Sequence, residues 1–74
     1  MKNFVTEQEL LDAAPGPIIS YIEASKLTGN LVKVKTLQNL ASKGELPKRI
    51  RLGSRVGFRT KDFIAWFLNH LEYV

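Results

Sequence analysis

The sequence predicts a small, mainly α-helical fold with one small β-hairpin, in the order helix, turn, helix, hairpin, helix. Two apolar repeats indicate this. A helical repeat runs through residues 33–43 and 61–72, and a two-residue repeat runs through residues 49–59. Glycines fall between these segments, where turns are needed. The 74 residues are enough for a single domain.

The N-terminal residues predict a short helix of their own. Thr6 and Glu9 have the spacing of a capping box and precede a run of apolar residues. A Pro-Gly-Pro run then ends this helix. We therefore treat residues 1–17 as an N-terminal appendage and residues 18–74 as the main domain.

The main domain begins with a short extended segment, a helix and a tight turn. Ile18–Ile22 suits the extended entry, and the helix is predicted over Tyr21–Leu27 with Ser20 as its N-cap. Gly29 and Asn30 follow, and both residue types tolerate the left-handed conformation that ends a helix. This pattern predicts that the chain reverses direction before the next helix.

A second helix is predicted from about Lys33 to Lys43. Its apolar residues fall on one stripe, which we expect to face the core, namely Val34, Leu37, Leu40 and Ala41. Gly44 is placed to end the helix, and Pro47 prevents its continuation.

The next segment changes to a two-residue repeat and predicts two strands joined by a turn at residues 53–55. In the first strand we expect Arg49 and Arg51 on one face and Ile50 and Leu52 on the other. A final helix follows, and its aromatic residues are expected in the core. A helix, a glycine turn and a second helix are the parts of a helix-turn-helix, and a basic hairpin behind them is a wing. The predicted fold class is thus a winged helix-turn-helix with an extra short N-terminal helix.

The positive charge is concentrated in one block. Residues 33–61 carry nine cations against Glu45, a net charge of +8, whereas the whole chain carries +4. Like charges held together in a folded chain repel one another, so such a block is typical of a polyanion-binding protein. We expect these cationic side chains to converge on one flank.

Five fragments in a set order also carry a family resemblance. They are Leu27-Thr28-Gly29, Thr36-Leu37, Gly44–Lys48, Arg51–Arg59, and Phe63 with Ala65-Trp66-Phe67. This order resembles that of AlpA-type phage regulators and small excisionases, whose fold is a MerR-like winged helix-turn-helix. The resemblance covers about 50 of the 74 residues. It implies a sequence-specific double-stranded DNA-binding protein that acts as a small transcriptional regulator or as an excisionase, the recombination directionality factor of a phage or mobile element.

Two groups of residues are predicted to contact DNA. The recognition-helix group comprises Lys33, Lys35, Thr36, Gln38, Asn39 and Lys43. The wing group comprises Lys48, Arg49, Arg51, Ser54, Arg55 and Arg59. Amides and lysines pair with base edges in the major groove, and arginines of a wing meet phosphates or enter a minor groove. A solvated helix face and a charged strand edge would have the same composition.

The segment between Gly29 and Thr36 is longer here than in the family. Which side chain of this segment points at a base edge therefore stays open, the candidates being Asn30, Val32, Lys33 and Lys35. An RNA-binding module and a small protein-interaction adaptor remain alternative functions, since both could use the same basic block or the apolar ends of the chain.

We expect neither an enzyme nor a cofactor or metal. The chain has no cysteine, and no second histidine and no cluster of carboxylates accompanies its single histidine, His70. We expect no small-molecule ligand and no membrane contact, and a cytoplasmic, bacterial or phage-encoded protein that is associated with the nucleoid when bound.

The expected partners are double-stranded DNA, a homodimer or cooperative copies on DNA, and an integrase. The expected surfaces for self-association are the acidic N-terminal segment and a C-terminal face around Leu68, Leu71 and Tyr73.

Overall fold

A computed structural model of the protein describes residues 5–72. Its elements are α1 (Glu7–Ala13), β1 (Ile18–Ser20), α2 (Tyr21–Leu27), α3 (Val34–Ser42), β2 (Arg49–Leu52), β3 (Arg55–Arg59) and α4 (Thr60–His70). The three strands form one antiparallel sheet in the order β1-β3-β2. Over the described residues the protein is a mixed fold of four helices and a three-stranded sheet. None of the helices in residues 5–72 has the length and apolar character needed to cross a membrane.

Capping boxes begin both α1 and α2. The Thr6 hydroxyl accepts from the Glu9 N–H at 3.1 Å, and the Glu9 carboxylate accepts from the Thr6 N–H at 2.9 Å. Ser20 and Glu23 make the same reciprocal pair at 3.1 and 3.0 Å. The predicted starts of both helices are therefore confirmed. α1 ends as the chain meets Pro15, because a residue before proline is pushed into the extended conformation, as Ala14 is with ψ 144°.

The sheet has one strand more than the predicted two-stranded hairpin. The extended entry ends at Ser20, and β1 pairs with β3 so that Ile19 lies opposite Phe58. This pairing joins segments that are distant in sequence, whereas turn and repeat patterns report only on neighbouring residues. The predicted hairpin itself is confirmed as β2 and β3, and Gly53 begins its two-residue loop with φ 63°.

The register assigns every strand residue to one of two faces, because residues opposite one another in antiparallel strands share a face. Ile19 and Phe58 are buried, and we call their side the inner face. Arg49 lies opposite Phe58 and Arg51 opposite Val56, so both arginines belong to the inner face. The other side, the outer face, carries Ile18, Ile50, Leu52, Arg55 and Arg59. The predicted separation of arginines from aliphatic residues in β2 is confirmed, and the arginines are the ones that share a face with the core.

One core joins all the helices to the inner face. Its buried residues are Leu10, Ile19, Ala24, Leu37, Phe58, Phe63, Ile64 and Phe67. The aromatic face of α4 is inside as predicted, and Trp66 packs at the margin, where its Nε1 donates to the Glu45 carbonyl oxygen at 3.1 Å.

The N-terminal segment contacts the main domain closely. α1 packs against α4 and contributes Leu10 to the core. The Thr60 N–H donates to the Pro17 carbonyl oxygen at 2.9 Å, and the Thr60 hydroxyl donates to the Gly16 carbonyl oxygen. These bonds fasten the segment between α1 and β1 to the start of α4.

Candidate nucleic-acid interface

The turn between α2 and α3 is tightly hydrogen-bonded. Gly29 and Asn30 have φ values of 68° and 65°, the left-handed conformation expected from the sequence. The Gly29 N–H donates to Lys26 at 2.9 Å and the Asn30 N–H donates to Ser25 at 3.0 Å, both to carbonyl oxygens. These two bonds form a Schellman motif, which closes the end of α2.

Thr28 fixes the direction in which the chain leaves α2. Its side chain is buried, its hydroxyl donates to the Ser25 carbonyl oxygen at 2.7 Å, and it accepts from the Val32 N–H at 3.2 Å. One hydroxyl thus bridges the last turn of α2 and the residues that enter α3. The longer connection noted in the sequence is held at both ends by this contact.

α3 presents one apolar and one polar side, as predicted. Leu37 is completely buried, whereas Val34, Leu40 and Ala41 are partly buried at the edges of the same stripe. Opposite this stripe, the whole predicted recognition-helix group is exposed, namely Lys33, Lys35, Thr36, Gln38, Asn39 and Lys43. α3 packs against α2, so its polar side is left facing away from that neighbour.

The N-terminus of α3 differs from those of α1 and α2. No side chain caps it, and no acidic residue lies in its first turn. The residues around this terminus include the exposed Lys33 and Lys35. The free N–H groups and the positive end of the helix dipole therefore add to the field of two lysines, which makes this end of α3 favourable to an anion.

The hairpin is linked to α2 through one side-chain hydrogen bond. The Arg49 guanidinium donates from Nη1 to the Tyr21 hydroxyl at 3.1 Å. The Tyr21 ring stands edge-on to the buried Phe58 ring, with centroids 5.1 Å apart. Arg49 is thus held beside the first turn of α2 by an aromatic pair that is anchored in the core.

The cations of the hairpin lie on both faces of the sheet. Arg49 and Arg51 are on the inner face of the edge strand β2, and both are exposed. Arg55 and Arg59 are on the outer face, and Arg59 is at the end of β3 far from the turn. The single flank expected from the sequence is therefore divided within the hairpin, because neighbouring strand residues alternate between faces.

All residues of the predicted wing group are exposed, as are those of the recognition-helix group. The wing residues are Lys48, Arg49, Arg51, Ser54, Arg55 and Arg59. Sequence patterns missed two further residues of this region. Tyr21 positions Arg49, and Leu31, which is 77% exposed, lies just before α3. An apolar residue near a helix start looks like a core residue in sequence, so nothing in the pattern indicated that Leu31 is exposed.

Residues 5–72 contain no group of three or more histidine, cysteine or acidic side chains placed to hold a metal ion. No protein-family model, curated protein or solved structure matches this chain. The geometry and charge described above, together with the family resemblance in the sequence, are therefore the features that point to a function.

Proposed function

We propose that the protein is a sequence-specific double-stranded DNA-binding protein with a winged helix-turn-helix arrangement. In this proposal α2 and α3 are the helix-turn-helix, and the β2–β3 hairpin is the wing. One observation carries the proposal: a helix with an uncapped, lysine-flanked N-terminus and an exposed polar face is followed directly by a hairpin of exposed arginines.

α3 has the dimensions and side chains to enter a major groove. A helix with its side chains is about 10–12 Å wide, and the major groove of B-DNA is about 12 Å wide. Asn39 and Gln38 can each pair with an adenine, and Lys35 can donate to a guanine. Lys33, at the N-terminus, and Lys43, at the opposite end, suit the phosphates on either side.

The wing contacts the backbone beside the groove. Arg51 and Arg55 flank the turn of the hairpin, and Ser54 lies within it, so their side chains can reach a phosphate or a narrow minor groove. Arg49 is held beside the first turn of α2 by Tyr21, which favours a phosphate at that end of the wing. Arg59 is further from the turn and contributes less to this interface.

Leu31 adds an apolar contact to the proposed interface. It is exposed and precedes α3, whose first residues meet the bases in a helix-turn-helix. An aliphatic side chain at this place can pack against a thymine methyl group. This contact would favour A·T pairs at one position of the site.

The distribution of aromatic residues favours DNA over RNA as the ligand. Modules that bind single-stranded RNA on a sheet display aromatic rings there, on which the bases stack. Phe58 is the only aromatic residue in the three strands, and it is completely buried. The basic block is therefore better suited to a duplex backbone than to stacked single-stranded bases.

A second copy on DNA is part of the proposal. A single module of this size covers roughly 600–1,000 Å² of protein surface on DNA, which gives modest specificity. Leu68 and Leu71 of the predicted C-terminal face pack against the core, and Tyr73 lies outside the described residues. Neighbouring binding sites on DNA are then the simplest way to bring two copies together.

Selection of binding sites from a random duplex pool tests the proposal. We expect an enriched sequence motif. Unlabelled duplex DNA with this motif should displace the bound duplex, and double-stranded RNA of the same sequence should not. No enrichment, or equal competition by RNA, would contradict it. An excision assay with a cognate integrase, run beside a promoter assay on the same site, then separates an excisionase from a transcriptional regulator.

A further inference from the structure

An apolar groove lies on the outer face of the sheet, away from the proposed DNA interface. It has a volume of about 570 Å³ and is open to solvent. Ile18 and Ile50 line it from the sheet, Leu11 lines it from α1, and Ala14 and Pro17 line it from the segment that follows α1. Ile18 is 55% exposed, and Leu52, which extends the same face beyond Ile50, is 83% exposed. Aliphatic side chains so grouped on a surface mark a docking site.

Positive charge borders this groove. Arg59 and Lys61 line it and are exposed, and no carboxylate is among the described residues that line it. Its chemistry is therefore that of an aliphatic floor with two cations at the rim. A complementary ligand presents aliphatic side chains together with carboxylates.

The groove excludes two other ways of binding. A strand is added at the edge of a sheet, whereas this groove lies on the face of the sheet. None of the residues between 5 and 72 that line it is aromatic, so nucleic acid bases have no ring there on which to stack. A helix that inserts side chains is the mode of docking that remains.

A second copy of the chain offers no matching segment in residues 5–72. α1 is acidic, but Leu10 lies in the core and Leu11 already lines the groove of its own chain. The strongly exposed Leu31 has Lys33 as its charged neighbour in sequence, which would meet the cationic rim with the same sign. The exposed Ile22 of α2 lies beside Glu23, but that carboxylate already accepts from the Ser20 N–H, and α2 also carries a lysine. A different protein is therefore the better match for this groove.

We propose that the outer-face groove, formed by Leu11, Ala14, Ile18, Ile50, Arg59 and Lys61, docks an acidic amphipathic helix of a partner protein. The aliphatic side chains of that helix fill the groove, and its carboxylates pair with Arg59 and Lys61. DNA binding relies mainly on α3 and the hairpin turn, and Arg59 is the residue that both proposals use, so we expect the protein to hold both ligands at once. This inference does not depend on DNA binding.

The test uses the full 74-residue protein, labelled with ¹⁵N, and a synthetic helical peptide of about 14 residues with leucines on one face and glutamates elsewhere. We expect amide shifts at Ile18, Ile50 and Lys61 and none on the exposed face of α3. A peptide with serines in place of leucines should not bind, and one with lysines in place of glutamates should bind at least about tenfold more weakly.

Two variants test the aliphatic floor and the charged rim of the groove separately. Ile18→Ser removes an exposed aliphatic contact, and we expect peptide affinity to fall about tenfold. Lys61→Glu reverses one rim charge and should weaken the acidic peptide by about threefold or more. Lys26→Glu is the matched control, because Lys26 is exposed on α2 and does not line this groove. Lys26→Glu should leave the affinity for the acidic peptide unchanged. It should weaken DNA binding as much as Lys61→Glu does.

Three results would overturn the inference. The first is a lysine peptide that binds as tightly as the glutamate peptide, and the second is peptide-induced shifts on α3 instead of in the groove. The third is groove signals that move with protein concentration alone, which would identify a second copy as the occupant. Thermal unfolding of Ile18→Ser shows whether the variant is folded, and Lys61→Glu, at an exposed position, decides the question if it is not.

Discussion

The two faces of the sheet contain the same kinds of residue in opposite settings. On the inner face, Phe58 of β3 is buried. Arg49 and Arg51 of the edge strand β2 share this face and are exposed. On the outer face, the aliphatic Ile18 and Leu52 are exposed among arginines. β2 thus turns its charged residues toward the side of the core and its apolar residues toward solvent.

This difference shows that a strand's own hydrophobicity does not decide its orientation at a sheet edge. β3 is the central strand, and burial of Phe58 determines which side faces inward. β2 follows the register, and one of its arginines, Arg49, donates to the Tyr21 hydroxyl of α2. The same register leaves aliphatic residues exposed on the outer face. We therefore expect two binding surfaces with different ligands, DNA at α3 and the hairpin turn and a protein at the outer face.

The largest expected effect comes from Gly57→Ala, which disturbs the central strand and with it both faces of the sheet. A Cβ at position 57 would come within 2.6 Å of the Ile19 carbonyl oxygen, and no flexible side chain is there to move aside. We expect a loss of about 2–3 kcal/mol in the free energy of unfolding and a Tm lower by roughly 10–20 °C. Thermal unfolding followed by circular dichroism measures it.

Gly16→Ala is the matched control for this substitution. A Cβ at position 16 would meet nothing within 4 Å, and the residue does not have a positive φ. The free energy of unfolding should change by less than about 0.5 kcal/mol. Equal stability of the two variants would mean that β1 and β3 are not paired as described.

The next largest effect is expected from the triple substitution Lys35→Ala, Arg51→Ala, Arg55→Ala. Loss of three cations at phosphates or bases should reduce the slope of log K against log salt by roughly 2–3 and the affinity for the selected duplex by about 10²–10³-fold. Fluorescence anisotropy over a salt series measures both quantities. The acidic peptide should bind this variant as tightly as it binds the wild type. If the protein were only a protein-interaction adaptor, the triple substitution would not reduce its affinity for the duplex.

Arg51→Ala and Arg59→Ala sharpen the contrast between the faces. Both remove one exposed arginine, from the inner and the outer face respectively. We expect Arg51→Ala to reduce duplex affinity about tenfold and Arg59→Ala to reduce it less than about threefold, with the opposite order for the acidic peptide. Equal losses on DNA would mean that the duplex contacts the whole length of the hairpin and not mainly its turn.

The smallest expected effect is that of Tyr21→Phe. It removes the oxygen that accepts from Arg49 and keeps the ring that packs on Phe58. Duplex affinity should fall by about two- to threefold, because Arg49 must then be ordered on binding, while stability changes by less than about 0.5 kcal/mol. In an Arg49→Ala background the same change should have no further effect on DNA affinity, which is the control.

Local features of this fold were predictable because a few neighbouring residues determine them. The caps at Thr6 and Ser20 and the turns at Gly29 and Gly53 each depend on side chains or backbone angles within one turn of chain. The polar side of α3 followed from helical periodicity for the same reason. All of these are confirmed by the structure.

Features that depend on distant residues were not predictable. β1 was expected only as a short extended entry without a partner, because its partner, β3, follows after two helices and β2. Leu10 looked peripheral because its core neighbours lie on α4. The alternation in β2 indicated two faces, but only the pairing of Arg49 with Phe58 revealed which one is the inner face. The outer-face groove arises from these three long-range arrangements, so sequence patterns alone could not indicate it.

Footprinting of the selected duplex at about 50 and about 200 mM salt tests the central claim most directly, namely that α3 and the hairpin read double-stranded DNA. With about five to seven cations at phosphates, log K should fall with log salt at a slope of roughly −5 to −6, so affinity drops on the order of 10³-fold while the protected site stays the same. A slope shallower than about −2, or protection that spreads without sequence preference, would contradict the claim.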